Sequence, residues 1–178
     1  VFDNQGKDFR LKKILGPFKF QIIHASIVSE DQIYILLQTG DLLRINGKGE
    51  VINKAVFDNK CVWILEPHPL DDSLVYAGTD DGVSLIKYDT GKFETVKIKE
   101  ISKHNLGFEI VKDVKAFPNG DYLAISRNGY VYKAAQDGNL IWYRQLTGVP
   151  RSIALCSEYK KMMVSTDHDV WELNTLNA

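Results

Sequence analysis

The sequence predicts an all-β fold: a β-propeller of four-stranded antiparallel blades, with about four blades covered. Three observations carry this prediction. Glycine- or aspartate-centred turns recur at Gly40, Gly82, Gly129 and Asp169, at spacings of 42, 47 and 40 residues. A large apolar residue stands six positions before each turn (Tyr34, Tyr76, Leu123, Met163), and another glycine follows the first three by nine (Gly49, Gly91, Gly138). No helical period persists, while short β-rich runs alternate with tight turns throughout. A period in the forties made of strands and turns is what propeller blades require.

Each unit reads as four strands, A to D. The chain opens on the end of a C strand and its turn (Val1 to Gly6), then a D strand (Phe9 to Leu15). The B strands are Ile33 to Leu37, Leu74 to Ala77, Tyr122 to Ile125 and Met162 to Ser165, apolar on both faces as expected between neighbouring blades. Thr39-Gly40, Asp81-Gly82, Asn128-Gly129 and His168-Asp169 are the B–C turns, and Asn-Gly and Asp-Gly predict type I′ geometry. The C strands follow at Leu42 to Ile45, Val83 to Tyr88, Tyr130 to Lys133 and Val170 to Leu173. The more polar D strands (Val51 to Phe57, Phe93 to Ile98, Leu140 to Leu146) suit an outer edge. Pro67, Pro69 and Pro118-Asn119-Gly120-Asp121 break the chain between A and B strands, and Asn105 to Ile110 reads as a short turn or loop.

The chain therefore divides into an outer strand of a preceding or of the last blade (1–15), blades at 20–58, 60–99 and 110–147, and an incomplete blade at 150–178. Either the leading D strand closes the last blade into a four-bladed ring, or the chain is a segment of a larger propeller. Val1 to Gly6 and Leu173 to Ala178 fill the same repeat position, and the chain begins at Val1 without an initiator methionine or signal peptide. Both features favour a segment.

Composition is that of an ordinary globular protein, 44% hydrophobic and 25% charged, and 178 residues suffice for a real core. A net charge of −1 gives no electrostatic reason to expect nucleic acid or a membrane surface as partner. The longest apolar run, Ile33 to Leu37, is far short of a membrane span. Cys61 and Cys156 fall two blades apart and read as buried, unpaired thiols; with no glycosylation sequon, they lean toward a cytoplasmic compartment.

Pro67 to Gly82, with its run Asp71-Asp72-Ser73-Leu74-Val75-Tyr76-Ala77-Gly78, resembles blades of the tryptophan-aspartate (WD) repeat class and of sortilin-like propellers. Val83 to Asp89 fits the WD pattern's C strand, with Tyr88-Asp89 where a WD repeat has Trp-Asp, and no Gly-His pair precedes any blade. Phe117 to Leu123, Asn128 to Tyr132 and Gly138 to Trp142 resemble the quinoprotein-like propellers, a group of quinone-dependent dehydrogenases, arylsulfotransferase-type enzymes and non-catalytic scaffolds. The dehydrogenases' docking motif is incomplete: Thr90-Gly91-Lys92 lacks its tryptophan, and Trp142 lacks the rest. No cofactor is implied.

The B–C turns project Asp41, Asp80, Asp81, Arg127, Asn128, Asp167, His168 and Asp169 from one end. The first seven are the candidate partner-binding residues; the plainer reading is that Asp, Asn and Gly are there because the turns need them. Asp167-His168-Asp169 has metal-binding chemistry, but no second His–acid cluster lies at ligand spacing, so no metal is expected. His24, in the first A strand, is either a channel-lining acid/base or a hydrogen-bonded core residue. His68, between two prolines, reads as an exposed turn residue, and Trp63, Trp142 and Trp171 as inter-blade packing. There is no nucleophile elbow and no phosphate loop. The expected function is a non-catalytic protein–protein interaction or scaffold propeller in a larger protein or assembly. The alternatives are a hydrolase, lyase or sulfotransferase working at the channel mouth through His24, Arg127, Arg151 and His168, and a sensor or receptor ectodomain.

Overall fold

The computed structural model describes residues 2–5, 8–11, 16–29, 31–56, 61–89, 92–97 and 110–176. Among the described residues every regular element is a strand, and no helix is long and apolar enough to cross a membrane. β1 (Phe2–Gln5) and β2 (Asp8–Leu11) form a hairpin. The first blade holds β3 (Ile22–Ser29), β4 (Gln32–Leu37), β5 (Asp41–Ile45) and β6 (Val51–Val56). The second holds β7 (Val62–Pro67), β8 (Leu74–Thr79), β9 (Gly82–Asp89) and β10 (Lys92–Lys97). β11 (Val111–Ala116), β12 (Tyr122–Ser126), β13 (Tyr130–Ala134) and β14 (Leu140–Gln145) make the third. β15 (Pro150–Leu155), β16 (Lys161–Thr166) and β17 (Val170–Asn174) make a three-stranded fourth. Each sheet is an antiparallel meander in chain order. The predicted loop at Asn105 to Ile110 falls, up to residue 109, outside the described residues, as do 12–15 of the leading D strand.

The core lies between the sheets, because the B and C strands are apolar on both faces and must bury both. Tyr34, Leu36 and Leu42 of the first blade pack on Val62, Leu65, Val75, Ala77 and Ile86 of the second. Tyr76, Val83 and Leu85 meet Val111, Val114, Tyr122, Ala124 and Tyr132 of the third. Leu123, Ile125 and Val131 meet Ile153, Met162, Val164 and Leu173 of the fourth. The alternation within β12 is plain: Tyr122 and Ala124 face back, Leu123 and Ile125 face forward. β16 keeps only half of this pattern. Met162 and Val164 are buried against the third blade, while Met163, at the repeat position of Tyr34, Tyr76 and Leu123, is exposed on the far face.

The inner strands lie side by side, β3 against β7, β7 against β11, and β11 against β15. Gly78 of β8 lets them approach. A Cβ there would stand 2.6 Å from Ile64 Cγ2 and 3.1 Å from the Val111 carbonyl oxygen, so any side chain would push the second and third blades apart.

The B–C turns correct the type I′ expectation. In the first and third, the amides of Gly40 and Gly129 close turns on the carbonyls of Leu37 and Ser126, and positive φ (+83° and +91°) falls on the glycine alone. That is a type I turn followed by a left-handed residue. The glycine is required, but Asn128 serves in ordinary right-handed geometry.

Candidate functional site

The B–C turns and the starts of the inner strands share one end of the molecule, and backbone hydrogen bonds stitch them together. Gln38 N–H donates to Gln21, Ile110 N–H to Asp80, Arg127 N–H to Ile110, and Asp167 N–H to Val149. Three turns are further braced by a hydroxyl three positions ahead of the turn residue. Thr79 Oγ1 accepts from Asp81 N–H (3.2 Å), and Thr166 Oγ1 accepts from His168 and Asp169 N–H (3.3 and 2.9 Å). Ser126 Oγ receives Tyr130 N–H at 3.4 Å. The hydroxyl recurs at the same repeat position in the sequence, a signal that the glycine period overshadows.

On this frame the predicted turn residues differ in what they offer. Asp41 is buried and ion-paired with Lys54 at 2.8 Å, and that bond holds its carboxyl below the usual range. It is a strap within the first blade and presents little to a partner. Asp80 is half-buried, with one carboxylate oxygen unsatisfied among the described residues. Asp81, Arg127 and Asn128 are exposed. Asp167 accepts Val149 N–H at 2.8 Å, which lowers its carboxyl, and His168 stands exposed with Nε2 3.9 Å from Asp167 Oδ2. No three His, Cys, Asp or Glu side chains converge as metal ligands among the described residues.

Deeper along the inner strands, polar side chains tie each strand to the next. His24 Nε2 meets the Leu65 carbonyl at 3.0 Å; a carbonyl only accepts, so Nε2 carries the proton. Glu66 accepts Lys115 Nζ at 3.1 Å and Ala116 N–H at 3.3 Å. Asp113 accepts Ile153 N–H and Val114 N–H, each at 2.8 Å, with Lys115 Nζ 3.6 Å away. Burial pushes Glu66 up despite Lys115, and burial of Lys115 is outweighed by the two carboxylates, which raise it. These groups are committed to holding the blades in register. His24 is therefore a hydrogen-bonded wall residue. A second set of ties runs outward, with the Tyr76 hydroxyl donating to the Gly120 carbonyl and Gln32 donating to Tyr34 Oη and the Asp72 carbonyl (3.0 and 2.8 Å).

Three expectations need correction. His68 is not an exposed turn residue but 3% exposed: its ring packs on Tyr76 (centroids 5.2 Å apart), and Nδ1 accepts Leu70 N–H at 3.2 Å. Cys61 and Cys156 are exposed, since both fall just outside strands, before β7 and after β15. Trp142 and Trp171 do pack between the third and fourth blades, but Trp63 is partly exposed beneath Lys112, whose Nζ is 3.8 Å from the ring centroid.

Burial holds both His24 and His68 below the ordinary imidazole value. The unfolded chain then takes up protons at a higher pH than the folded one. Stability is complete above about pH 6.5 and falls as pH drops through that value toward the depressed folded pKa values. Thermal melts from pH 7.5 to pH 5, pH values chosen to bracket about 6.5, will show this loss, and the double variant His24→Gln/His68→Asn will show a flatter profile. An identical profile for the variant would exclude the imidazoles as its source.

The meandering sheets, inner strands side by side, and core slabs between sheets define the fold as that of a partial β-propeller. No family model matches the chain, and no curated protein matches it in sequence. Among solved structures it is similar to the WD40 β-propeller domain of Doa1, with TM-score 0.71 and 19% identity, covering 89% of this chain and 52% of that one. It is also similar to the β-propeller domain of Cps50 (Swd1) from Myceliophteria thermophila, with TM-score 0.66 and 13% identity, covering 81% of this chain and 50% of that one. The chain spans about half the length of these two propellers. At such identities the likeness is one of fold.

Proposed function

We propose that this chain is a non-catalytic, protein-binding part of a propeller scaffold within a larger protein or assembly. One observation carries the reading: turn residues of the second, third and fourth blades are displayed together at one end, on inner strands tied to one another by side-chain hydrogen bonds. A rigid frame lets exposed turn residues bind without a large ordering cost. In this reading Asp80, Asp81, Arg127, Asn128, Asp167 and His168 contribute contacts, and Asp41 serves the frame. The outer edge of β17 has no paired strand among the described residues, so it offers backbone groups to a further strand, as the rest of a larger propeller would supply.

The test uses photo-crosslinking residues placed one at a time at Asp81, Asn128 and His168, and at Ile52 and Tyr143 on outer strands, in the full natural polypeptide. The expected result is one protein partner captured from the turn positions, with capture changed by Asp81→Lys. Capture confined to the outer positions, or unaffected by the charge reversal, would overturn the reading.

A further inference from the structure

The inner strands share an irregularity at their first turn of pairing. Register shifts fall between Ile22 and His24, Val62 and Ile64, Val111 and Asp113, and Pro150 and Ser152. The skipped residue is in each case the second of its strand: Ile23, Trp63, Lys112 and Arg151. A bulge takes the side chain of its extra residue out of the strand alternation, and four equivalent bulges on adjacent strands do so at the end that bears the B–C turns. Two of the four are cations, one is a partly exposed indole, and Lys112 lies on that indole.

Arg127 adds a third positive charge. Its turn is bonded to Ile110, the residue that leads into β11 and Lys112. Ile110 has φ +54°, a left-handed conformation that a β-branched residue adopts only under constraint, and it is pinned between the Asp80 carbonyl and the Arg127 amide. Arg127 and Arg151 both bear on Lys112: after burial, their charges lower its pKa. Among the described residues the ion pairs use other cations, and Asp167, which feels the charge of Arg151, is a partial answer to this group of three. Clustered like charges only partly answered are a cost that a bound anion removes.

We propose that Lys112, Arg127 and Arg151, over the indole of Trp63, form a receptor for an acidic side chain of a partner peptide. The proposal rests on the protein-binding reading above and gives that partner a chemistry. The surroundings favour a short acidic peptide over a nucleic-acid backbone. Asp80, Asp81, Asp167 and Asp169 stand on the same turns, Asp167 near enough to Arg151 to feel its charge, and the chain as a whole carries −1. Such a rim repels an extended polyanion, while one or two carboxylates can enter past it.

The experiment titrates the full natural polypeptide with a fluorescein-labelled peptide of three glutamates flanked by glycines, read by anisotropy at low and physiological salt. A lysine counterpart and a labelled oligothymidylate run in parallel. The expected result is saturable binding of the glutamate peptide, weakened by salt, and reduced about tenfold or more by Arg127→Gln/Arg151→Gln, since two charge-assisted contacts are lost. Both arginines are exposed, and an unchanged melting temperature will show that the variant is folded. Absence of saturation at millimolar peptide, equal binding by the variant, or tighter binding of the oligothymidylate would each overturn the proposal. Photo-crosslinking of the same variant separates the two levels. If the partner is still captured while the glutamate peptide fails to bind, the acidic chemistry falls and the protein-binding reading stands.

Discussion

Tyr76→Ala will cost about 3–5 kcal/mol of stability, the range for emptying a fully buried aromatic site. The ring is completely buried between the second and third blades, 5.1 Å from the Tyr122 ring and 5.2 Å from the His68 ring. Its removal takes one ring neighbour from each of them, leaving Tyr122 with Tyr132, and leaves the Gly120 carbonyl without its donor. Tyr76→Phe separates the two contributions: it keeps the packing and removes only the hydroxyl, at an expected cost of about 0.5–1.5 kcal/mol. Chemical denaturation of both variants measures the difference. Equal losses would mean that the hydrogen bond, not the packed ring, holds this junction.

Asp113→Ala will cost about 3 kcal/mol, because it leaves a buried N–H unsatisfied and takes a counterion from Lys115. The carboxylate is 6% exposed and reaches across to Ile153 N–H, the one side-chain bond that ties β11 to β15 among the described residues. Glu66 remains beside Lys115, so the charge is not orphaned and the larger penalty of an unpaired buried ion does not apply. Asp113→Asn keeps one acceptor and will lose less. Amide exchange at Ile153 is the direct readout, and protection there unchanged in the alanine variant would remove the carboxylate from this role.

Much of the architecture was legible because blade geometry leaves local marks. Gly40, Gly82 and Gly129 stand where φ must be positive, and runs such as Ile33 to Leu37 are apolar on both faces because sheets cover both. The turn candidates were legible for the same reason, being tied to those glycines. What was not legible depends on contacts across blades. Nothing local announces that Asp113 will meet the amide of Ile153, forty residues away, or that His68 will fold back onto Tyr76. The bulges were hidden too: an extra residue shifts strand alternation by one, so Trp63 and Lys112 sit out of phase with the pattern that located their neighbours.

Every described sheet pairs strands that follow one another in the chain, and each core slab that joins two sheets is shared only by successive ones. For an all-β protein this keeps contacting residues close along the sequence, so little loop entropy is spent before the first contacts form. Each blade can close as a local event and then wait for its neighbour, and cooperativity becomes a property of the junctions. A weakened junction would then divide the molecule into two pieces that open independently, so that the tie from Asp113 to Ile153 decides whether the fourth blade melts with the others or ahead of them.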